Sequence, residues 1–238
     1  MNKLELMERE PLTRQEREVY RTLRTNIEFT GIENKVIAIT SCMQDDGKST
    51  ISLNLAGAFA ENGKRTLYID ADLRKSVFIQ RFGIKGKPEG LSHYLSGQST
   101  VNDVIYKTNK DNPYVIPVGA YPSNPTELFS KPRFEKMLSD LKNAFDYIII
   151  DTAPLGSVID AAVIAQKSDA SMLVVSSGKT SRSFVKSVVS QLKTANPNFL
   201  GIVLNKVDVK NSSYYGKKYG GYYGGYYAYY GKDDEKKR

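Results

Sequence analysis

The residues with the most distinctive chemistry form a short loop that is typical of phosphate binding. Residues 42–49 read Cys-Met-Gln-Asp-Asp-Gly-Lys-Ser and lie between an apolar run and a helical pattern. In a P-loop, backbone N–H groups at the helix start hold phosphates, the lysine reaches the β- and γ-phosphates, and the serine hydroxyl binds Mg²⁺. The pattern therefore predicts that Gly47, Lys48 and Ser49 bind a nucleoside triphosphate.

Two features of this loop differ from the usual pattern. Cys42 stands where a P-loop has its first glycine, and Asp45 and Asp46 bring negative charge into the loop. Because inward carboxylates would repel phosphate, we expect both side chains to point outward. The alternative is an ordinary strand–turn–helix connection with a capped helix start.

Carboxylates also follow two further predicted strands. Asp70 and Asp72 end one of them, with Arg74 two residues later, and Asp151 ends another. Ligands of doubly wound sheets bind at the carboxyl ends of the strands, so these side chains are expected to meet the P-loop in one crevice. Clustered carboxylates repel one another unless a divalent cation neutralises them, which predicts a set that serves Mg²⁺ and a general base. Each aspartate alone could equally be a helix cap or a loop residue.

The C-terminal segment carries a dense cluster of phenols. Nine tyrosines interleaved with glycines lie in this cluster: Tyr214, Tyr215, Tyr219, Tyr222, Tyr223, Tyr226, Tyr227, Tyr229 and Tyr230. No hydrophobic period of two or 3.6 runs through the segment, and its glycines raise the entropy cost of ordering it, so we expect a flexible tail over residues 210–238. From Lys206 onward, eight basic residues oppose four acidic ones, so this end supplies +4 of the chain's net charge of +8.

The elements that must position these residues follow from hydrophobic periodicity. Strands are predicted at 36–39, 66–69, 114–118, 147–150, 171–175 and 200–204, and helices at 13–29, 49–61, 134–145, 159–166 and 181–195. In the first helix, Thr13 and Glu16 predict a capping box, and Val19, Leu23 and Ile27 predict the apolar stripe. The alternation predicts an α/β P-loop NTPase fold, a mostly parallel doubly wound sheet flanked by helices. We expect an N-terminal extension over 1–12, one catalytic domain over 13–209 and the tail.

Composition restricts the setting in which the chain works. The 238 residues are 40% hydrophobic, which suffices for one sizeable α/β domain. The single cysteine excludes an intramolecular disulfide and fits a reducing compartment. Residues 1–11 lack the apolar stretch of a signal peptide, and no apolar run approaches the ~18–20 residues of a spanning helix. We therefore expect a soluble protein inside the cell.

Together these motifs resemble those of the bacterial tyrosine kinases of capsule and exopolysaccharide synthesis. The Walker A, Walker A′ and Walker B motifs of that family match residues 42–50, 68–74 and 147–154. Its ExxRxxR helix matches Glu18, Arg21 and Arg24, and its tyrosine cluster matches 214–230. The resemblance spans essentially the whole chain. Without a spanning helix, the chain resembles the split Gram-positive form, in which a separate cytoplasmic kinase is activated by a transmembrane partner.

The resemblance implies an ATP- and Mg²⁺-dependent autokinase that phosphorylates its own tail tyrosines, in trans within a homo-oligomer. It implies that residues of the three motifs and of the last strand bind nucleotide: Asp46, Gly47, Lys48, Ser49, Thr50, Arg74 and Asn205. It also implies that Ser49, Asp72 and Asp151 hold the metal. Asp70 would orient or deprotonate the incoming phenol, although its division of roles with Asp72 stays open. Arg74 would contact phosphate or pair with a carboxylate.

The resemblance also implies partners. The transmembrane activator would recruit the kinase to the inner face of the membrane, a cognate tyrosine phosphatase would reverse the modification, and no nucleic acid is expected. Glu18, Arg21 and Arg24 would carry contacts between subunits, although a solvated charged face is the usual meaning of such a trio.

Three other functions compete with the kinase. Residues 204–208 contain the Asn-Lys-x-Asp pattern that reads guanine, which would indicate a GTPase. A partitioning or scaffold ATPase would use the same P-loop but leaves the tail tyrosines unexplained. A tail that grips single-stranded nucleic acid would leave the strand-end motifs unexplained.

Overall fold

The structure, a computed structural model, describes residues 2–6, 11–84, 86–108 and 113–207. Met1–Asn205 form one compact unit, and Lys206 begins a second unit. The nine clustered tyrosines and Asp208 of the guanine-type pattern lie outside the described residues. Within the described ranges, no helix combines the length and the apolarity needed to cross a bilayer.

The strands of the described residues are short and mostly buried. They are β1 (Asn2–Leu4), β2 (Val36–Ser41), β3 (Thr66–Asp70), β4 (Tyr106–Thr108), β5 (Tyr114–Ile116), β6 (Tyr147–Asp151), β7 (Ala170–Ser176) and β8 (Phe199–Asn205). The helices are α1 (Arg14–Glu28), α2 (Lys48–Glu61), α3 (Phe78–Arg81), α4 (Leu91–Leu95), α5 (Val101–Val104), α6 (Pro125–Ser130), α7 (Pro132–Lys142), α8 (Asp160–Gln166) and α9 (Arg182–Ala195).

These strands form a single sheet in the order β1-β4-β5-β3-β6-β2-β7-β8. Each neighbouring pair is parallel except β4 and β5, which are antiparallel. The central strands β3, β6 and β2 are neighbours, so their carboxyl ends form one continuous edge in the middle of the sheet. The predicted mostly parallel α/β fold is confirmed.

Alternate side chains of the central strands build a separate core on each face of the sheet, as the period of two in a strand requires. Ile37 and Ile39 of β2 share one buried cluster with Phe59 of α2. Val36 and Ala38 of the same strand share the other cluster with helices α7, α8 and α9. Helices on both faces explain why β2 reads as an unbroken apolar run.

Helix α1 begins where the sequence predicts it. The Thr13 hydroxyl accepts the Glu16 N–H at 3.2 Å, and the Thr13 N–H donates to Glu16 Oε2 at 2.9 Å, so the capping box is present. The predicted apolar stripe is wrong at one position, because Val19 is exposed while Tyr20 is buried. The Asn54 amide of α2 donates to the Tyr20 hydroxyl at 3.1 Å, so Tyr20 instead of Val19 faces α2.

The edge of the sheet contains two strands that the sequence analysis did not predict. Strand β1 lies inside the segment 1–12 that was assigned to an extension, and it pairs with β4 in the register Asn2↔Tyr106. Both strands have three residues, too few for an alternating pattern to be recognised. Their pairing depends on residues about a hundred positions apart, which local sequence does not encode.

Candidate active site

Three strand ends bring the predicted catalytic residues together. Asp70 and Asp151 are register partners in the parallel pair of β3 and β6, so the two carboxylates lie side by side. Strand β2 pairs with the opposite side of β6, and the loop 42–47 leads from it into α2. The crevice expected from the sequence is therefore formed by three adjacent strands.

Gly47 is required by the geometry of the loop. It caps α2 in the left-handed region with φ 93°, where glycine is favoured. A Cβ at this position would lie 2.1 Å from Nδ2 of Asn205, which donates to the Asp46 carbonyl at 2.9 Å. The last strand therefore packs directly against the loop, and Asn205 supports its backbone.

The expectation that both loop carboxylates point outward is wrong for Asp46. Asp45 is exposed and adopts φ 64°, but Asp46 is only 1% exposed. Its carboxylate accepts the N–H of Met43 at 2.8 Å and the N–H of Ser176 at 3.4 Å. Backbone donors within the loop and at the end of β7 thus compensate its charge, and Asp46 fixes the loop from within.

Cys42 is wholly buried at the start of the loop. Burial, and secondly the charge of Asp46, raise the pKa of its thiol to about 11, so it is uncharged at neutral pH. The Cys42 carbonyl would lie 2.1 Å from a Cβ at Gly156, so the loop after β6 packs tightly against it. The thiol behaves as a small packed side chain.

Lys48 is the cation of the crevice. Its Nζ lies 3.0 Å from Oδ2 of Asp72 and 3.8 Å from Oδ1 of Asp151, and it donates to the Ser49 hydroxyl at 3.2 Å. Burial acts to lower the pKa of Lys48, but Asp151 and Asp72 outweigh it and raise the pKa above the ordinary value. The ammonium therefore stays charged. Ser49 and Thr50 follow it in the first turn of α2.

Asp70 is a buried carboxyl whose pKa is strongly raised. Burial, and next the charge of Asp151, raise its pKa from 3.8 to about 8. The Ser76 hydroxyl donates to Asp70 Oδ2, and the Asp72 N–H lies 3.3 Å from Oδ1. A carboxyl whose pKa lies near neutral pH can accept and release a proton, which suits general-base chemistry.

Asp151 and Asp72 are each held by several donors. The hydroxyl of Tyr68 donates to Asp151 Oδ2 at 3.0 Å, and Asp151 is buried, which raises its pKa despite Lys48. Asp72 accepts the backbone N–H of Lys75 at 3.0 Å and the ammonium of Lys48. These bonds fix the orientation of both carboxylates.

Arg74 adopts the salt-bridge alternative. Its Nε lies 2.6 Å from Oδ2 of Asp160, and its terminal nitrogen donates to Oδ1 at 3.0 Å and to the Thr126 hydroxyl at 3.1 Å. Asp160 is almost fully buried at the start of α8. This bidentate pair joins the Walker A′ loop to α6 and α8.

Comparison with known proteins decides the family. A family model described as an AAA domain matches residues 34–200. The chain is 43% identical over 223 residues to the tyrosine-protein kinase CpsD of Streptococcus agalactiae, a match that covers 93% of this chain and 92% of that one. The kinase domain of the Escherichia coli tyrosine kinase ETK has a TM-score of 0.79 at 30% identity, covering 90% and 92%. The chain belongs to the bacterial tyrosine-protein kinase family.

The family membership predicted from the motifs is thereby confirmed, and the chain is a tyrosine-protein kinase. The same fold extends to the septum site-determining protein MinD of Pyrococcus horikoshii, solved with Mg-ADP, at a TM-score of 0.63 and 26% identity over 74% of this chain and 72% of that one. This kinase and MinD therefore share a fold.

The donors of the crevice fit Mg²⁺ in the manner of nucleotide-dependent enzymes. No group of three or more His, Cys, Asp or Glu side chains in the described residues is arranged to hold a metal by itself. Mg²⁺ seldom needs such a cage, because one or two carboxylates, waters and substrate phosphates usually complete its shell. Asp72 and Asp151 flank the Lys48 ammonium beside Ser49, which is a donor set of that kind.

The charged residues Glu18, Arg21 and Arg24 of α1 do not all face the same surroundings. Glu18 and Arg21 are exposed and lie 3.8 Å apart. Arg24 is half-buried, pairs with Glu28 at 3.6 Å and donates to the Ala58 carbonyl of α2 at 3.2 Å. In the single chain of this kinase, Arg24 joins α1 to α2, and Glu18 and Arg21 face solvent.

Several residues that shape the site were missed by sequence reasoning. Tyr68 lies one residue before the end of a predicted strand, where it was taken as one of the strand's apolar residues. Its hydroxyl contacts Asp151 because β3 pairs with β6. Ser76 and Asp160 carried no motif. Asp160 lies at the start of a predicted helix, and an acidic residue in that position was the one available indication that its side chain has a structural role.

Proposed function

We propose that this kinase transfers the γ-phosphoryl group of ATP to the tyrosines of its own C-terminal cluster, residues 214–230. The observation that carries the proposal is the arrangement of charge around the P-loop. One ammonium, that of Lys48, lies within 4 Å of Asp72 and Asp151 at the start of a helix. Helix N–H groups and the ammonium attract phosphate, whereas the carboxylates favour a cation.

Phosphate binding falls to the loop and the first turn of α2. The backbone N–H groups around Gly47 and the Lys48 ammonium would hold the β- and γ-phosphates, supported by Ser49 and Thr50. Asp46 acts indirectly, since its buried carboxylate holds the loop in shape. Asn205, whose amide supports that loop, lies at the strand end from which a base contact would come.

Asp70 is the proposed acceptor of the phenol proton. A tyrosine has a pKa of about 10, so attack at neutral pH benefits from a carboxylate beside the hydroxyl. The phenol oxygen forms a bond to the γ-phosphorus while the bond to the β,γ-bridging oxygen breaks and ADP leaves. Ser49, Asp72 and Asp151 would hold Mg²⁺, which would supply positive charge to offset that of the phosphates.

The length of the tail supports transfer in trans. Ten extended residues reach up to ~35 Å, whereas a domain of this size has a radius of gyration of about 17 Å. A tyrosine in the cluster can therefore reach the crevice of a neighbouring subunit, and its glycine neighbours let different phenols enter one site. Glu18 and Arg21, which are exposed on α1, would contribute contacts between subunits, with Arg24 fixing the helix.

The proposed setting is the regulation of capsular or exopolysaccharide synthesis and export. A transmembrane activator of the polysaccharide co-polymerase type would hold the kinase at the inner face of the membrane, and a cognate phosphatase would reset the tail.

The test uses the full chain with Mg²⁺ and labelled ATP, alone and with a peptide of the activator's cytoplasmic end. Phosphopeptide mapping is expected to find phosphotyrosine within 214–230. Lys48→Met and Asp151→Asn, each checked for folding by circular dichroism, are expected to abolish it. Phosphate that persists in both variants, or that never appears in the wild type, contradicts the proposal.

Competition between ATP and GTP for the crevice tests the assignment of ATP as the phosphoryl donor.

A further inference from the structure

Exposed apolar side chains are concentrated around the crevice. Ten large apolar side chains of the described residues are exposed, and five of them follow the carboxyl end of a strand, at the edge of the sheet where the crevice lies. These five are Met43 after β2, Val77 after β3, Tyr121 after β5, Ile159 after β6 and Phe184 after β7. Apolar side chains scattered singly over a surface need no explanation, whereas a patch of them beside a site marks a surface for binding.

Three of these side chains border the loop that follows β6. A Cβ at Gly156 of this loop would lie 2.9 Å from Cζ of Phe184 and 2.1 Å from the Cys42 carbonyl oxygen, so the Phe184 ring covers the loop beside Cys42. Met43 is the next residue of the P-loop, and Ile159 lies at the end of the loop after β6; both are 47% exposed. We call Met43, Ile159 and Phe184 the apolar patch.

The backbone of the apolar patch is fixed by neighbouring elements. Phe184 lies in the first turn of α9, where its N–H donates to the Ser181 hydroxyl at 3.3 Å. Ile159 immediately precedes α8, and its carbonyl accepts the Ala162 N–H at 2.9 Å. The Met43 N–H is bonded within the P-loop. A surface that is formed before its partner arrives loses little conformational entropy on binding.

The distance from the patch to the candidate base matches the spacing of rings in the tail. Strand β3, which ends at Asp70, is one strand away from β6 and two strands away from β2. Because neighbouring strands are about 4.8 Å apart, the loops after β6 and β2 begin about 5–10 Å from the end of β3. Each of the nine clustered tyrosines has another within three residues, and three extended residues span up to ~10 Å. A phenol that reaches Asp70 therefore leaves a neighbouring ring within reach of the patch.

We propose that the apolar patch binds an aromatic ring that flanks the accepting tyrosine of the tail. The occupant is the segment 214–230 of a neighbouring chain, and the inference rests on the proposed function, which makes this segment the substrate. The tail begins at the edge of the sheet that holds the crevice, because β8 ends at Asn205, whose amide contacts the P-loop. The patch selects a phenol by the rings around it, and the crevice carries out the transfer.

This role gives the arrangement of the tail a physical meaning. Eight of the nine clustered tyrosines form four adjacent pairs, so an accepting phenol in a pair always has a ring beside it. A phosphate on that flanking ring adds about −1.5 to −2 charges, which an apolar surface does not accommodate. The patch therefore favours acceptors whose flanking rings are still unmodified.

The experiment measures the KM of two synthetic peptides with the full-length kinase, Mg²⁺ and ATP, with and without the activator's cytoplasmic peptide. Both peptides span residues 216–225 and keep Tyr222 as their single acceptor, together with both lysines. One carries Tyr219→Phe and Tyr223→Phe, which keep the flanking rings, and the other carries Tyr219→Ala and Tyr223→Ala. The KM of the phenylalanine peptide should be about five- to tenfold lower, the effect of one well-packed ring.

Two substitutions in the patch and two matched substitutions elsewhere locate the ring. Phe184→Ala and Ile159→Ser should each raise the KM of the phenylalanine peptide toward that of the alanine peptide and leave the KM for ATP unchanged. Phe29 and Ile32 are exposed apolar residues that precede the amino end of β2, at the opposite edge of the sheet. Phe29→Ala and Ile32→Ser should therefore keep the difference between the peptides. Circular dichroism checks the folding of all four variants.

Each contrary result has a distinct meaning. Equal KM values for the two peptides with the wild-type kinase, or phosphate on the tail but on neither peptide, overturn this inference and leave the proposed function intact. A difference that survives both Phe184→Ala and Ile159→Ser also overturns it. Smaller assemblies of these two variants in native mass spectrometry, with unchanged KM values for the peptides, would instead assign the patch to contacts between folded subunits. Absence of phosphate from the tail and from both peptides overturns the proposed function and this inference with it.

Discussion

Asp70 makes the stability of the nucleotide-free protein depend on pH. Its carboxyl is buried beside Asp151, and these two causes, in that order, raise its pKa to about 8. A carboxyl whose pKa is higher in the folded than in the unfolded state stabilises the fold while it is protonated. That contribution is complete below about pH 4 and is lost as the pH rises through about 8.

Asp70→Asn should therefore change the pH profile of stability. The amide stays neutral and keeps an oxygen for the Ser76 hydroxyl, so the free energy of unfolding of the variant relative to the wild type should rise between pH 5 and pH 9. The expected rise is on the order of 3 kcal/mol. Urea denaturation without Mg²⁺ or nucleotide measures it. Asp140→Asn, at an exposed carboxylate bonded to Lys136, serves as the control and should show no such rise. An equal profile for Asp70→Asn and Asp140→Asn would contradict the role given to burial.

Tyr68→Phe tests whether a single hydroxyl supports Asp151, the proposed metal ligand. The substitution removes the 3.0 Å hydrogen bond to Asp151 and leaves the ring in place. A buried carboxylate that loses one donor should lower the free energy of unfolding by about 1–3 kcal/mol at neutral pH. It should also raise the Mg²⁺ concentration that half-saturates the kinase, because Asp151 is less firmly oriented.

Tyr147→Phe is the matched control for this prediction. Tyr147 is a buried tyrosine at the opposite end of the neighbouring strand β6, with its ring stacked on Phe59 at 3.9 Å. Its substitution should leave the Mg²⁺ dependence unchanged. Equal shifts of the Mg²⁺ dependence in both variants would mean that Tyr68 acts through packing alone.

The sequence predicted the positions of some residues of the crevice and not of others. Lys48, Asp70 and Asp151 were predicted to meet because each follows a strand of a parallel sheet, and parallel strands end at the same edge. Asp46 was misjudged because the donors that compensate its charge come partly from Ser176, which is distant in sequence. The contact of Ser76 with Asp70 depends on a loop conformation that no periodic pattern encodes.

At the scale of elements, the two arginines Arg21 and Arg24 of helix α1 differ in their contacts. Arg24 is buried toward α2 through the Ala58 carbonyl, whereas Arg21 is 52% exposed and pairs with Glu18. Arg24→Ala should therefore lower the free energy of unfolding by about 1–2 kcal/mol, and Arg21→Ala should change it by less than ~0.5 kcal/mol. If α1 also joins subunits, Arg21→Ala should shift the oligomer toward single chains without loss of stability. Thermal unfolding measures the stability of both variants, and native mass spectrometry measures their assembly. A destabilised Arg21→Ala chain would contradict the placement of Arg21 on the solvent-exposed side of α1.

Elements with a strong pattern were predictable and short ones were not. The predicted helix 13–29 corresponds to α1 (Arg14–Glu28) because its capping box is a local signal. Its inward face was predicted correctly at Leu23 and Ile27 and wrongly at Val19, because the neighbouring Tyr20 is amphipathic and its hydroxyl finds a partner on α2. Strands β1 and β4 have three residues each and are identified by their pairing with each other, so neither could be recognised from its own sequence.

At the scale of the whole molecule, the proposed function would couple the charge of the tail to the assembly of subunits. The segment from Lys206 onward carries a net +4, and the crevice of the folded unit holds three buried carboxylates that require a cationic partner. Each phosphorylated tyrosine adds about −1.5 to −2 charges, so two or three phosphates cancel the tail's charge and more invert it. If the tail enters the crevice of a neighbour as proposed, an inverted tail would be repelled by that acidic, nucleotide-loaded crevice, and one contact between subunits would be lost.

Phosphorylation should therefore shift this kinase from larger to smaller assemblies. Native mass spectrometry of wild-type chain before and after incubation with Mg²⁺ and ATP should show the shift, and it should be greater at low ionic strength because salt screens exposed charge. A chain in which all nine clustered tyrosines are replaced by phenylalanine provides the matched control, since it keeps the tail's charge and its aromatic rings but accepts no phosphate there. That chain should remain in the larger assembly under the same incubation. Identical assemblies for the phosphorylated wild type and for the phenylalanine chain at low salt would show that tail charge does not govern association.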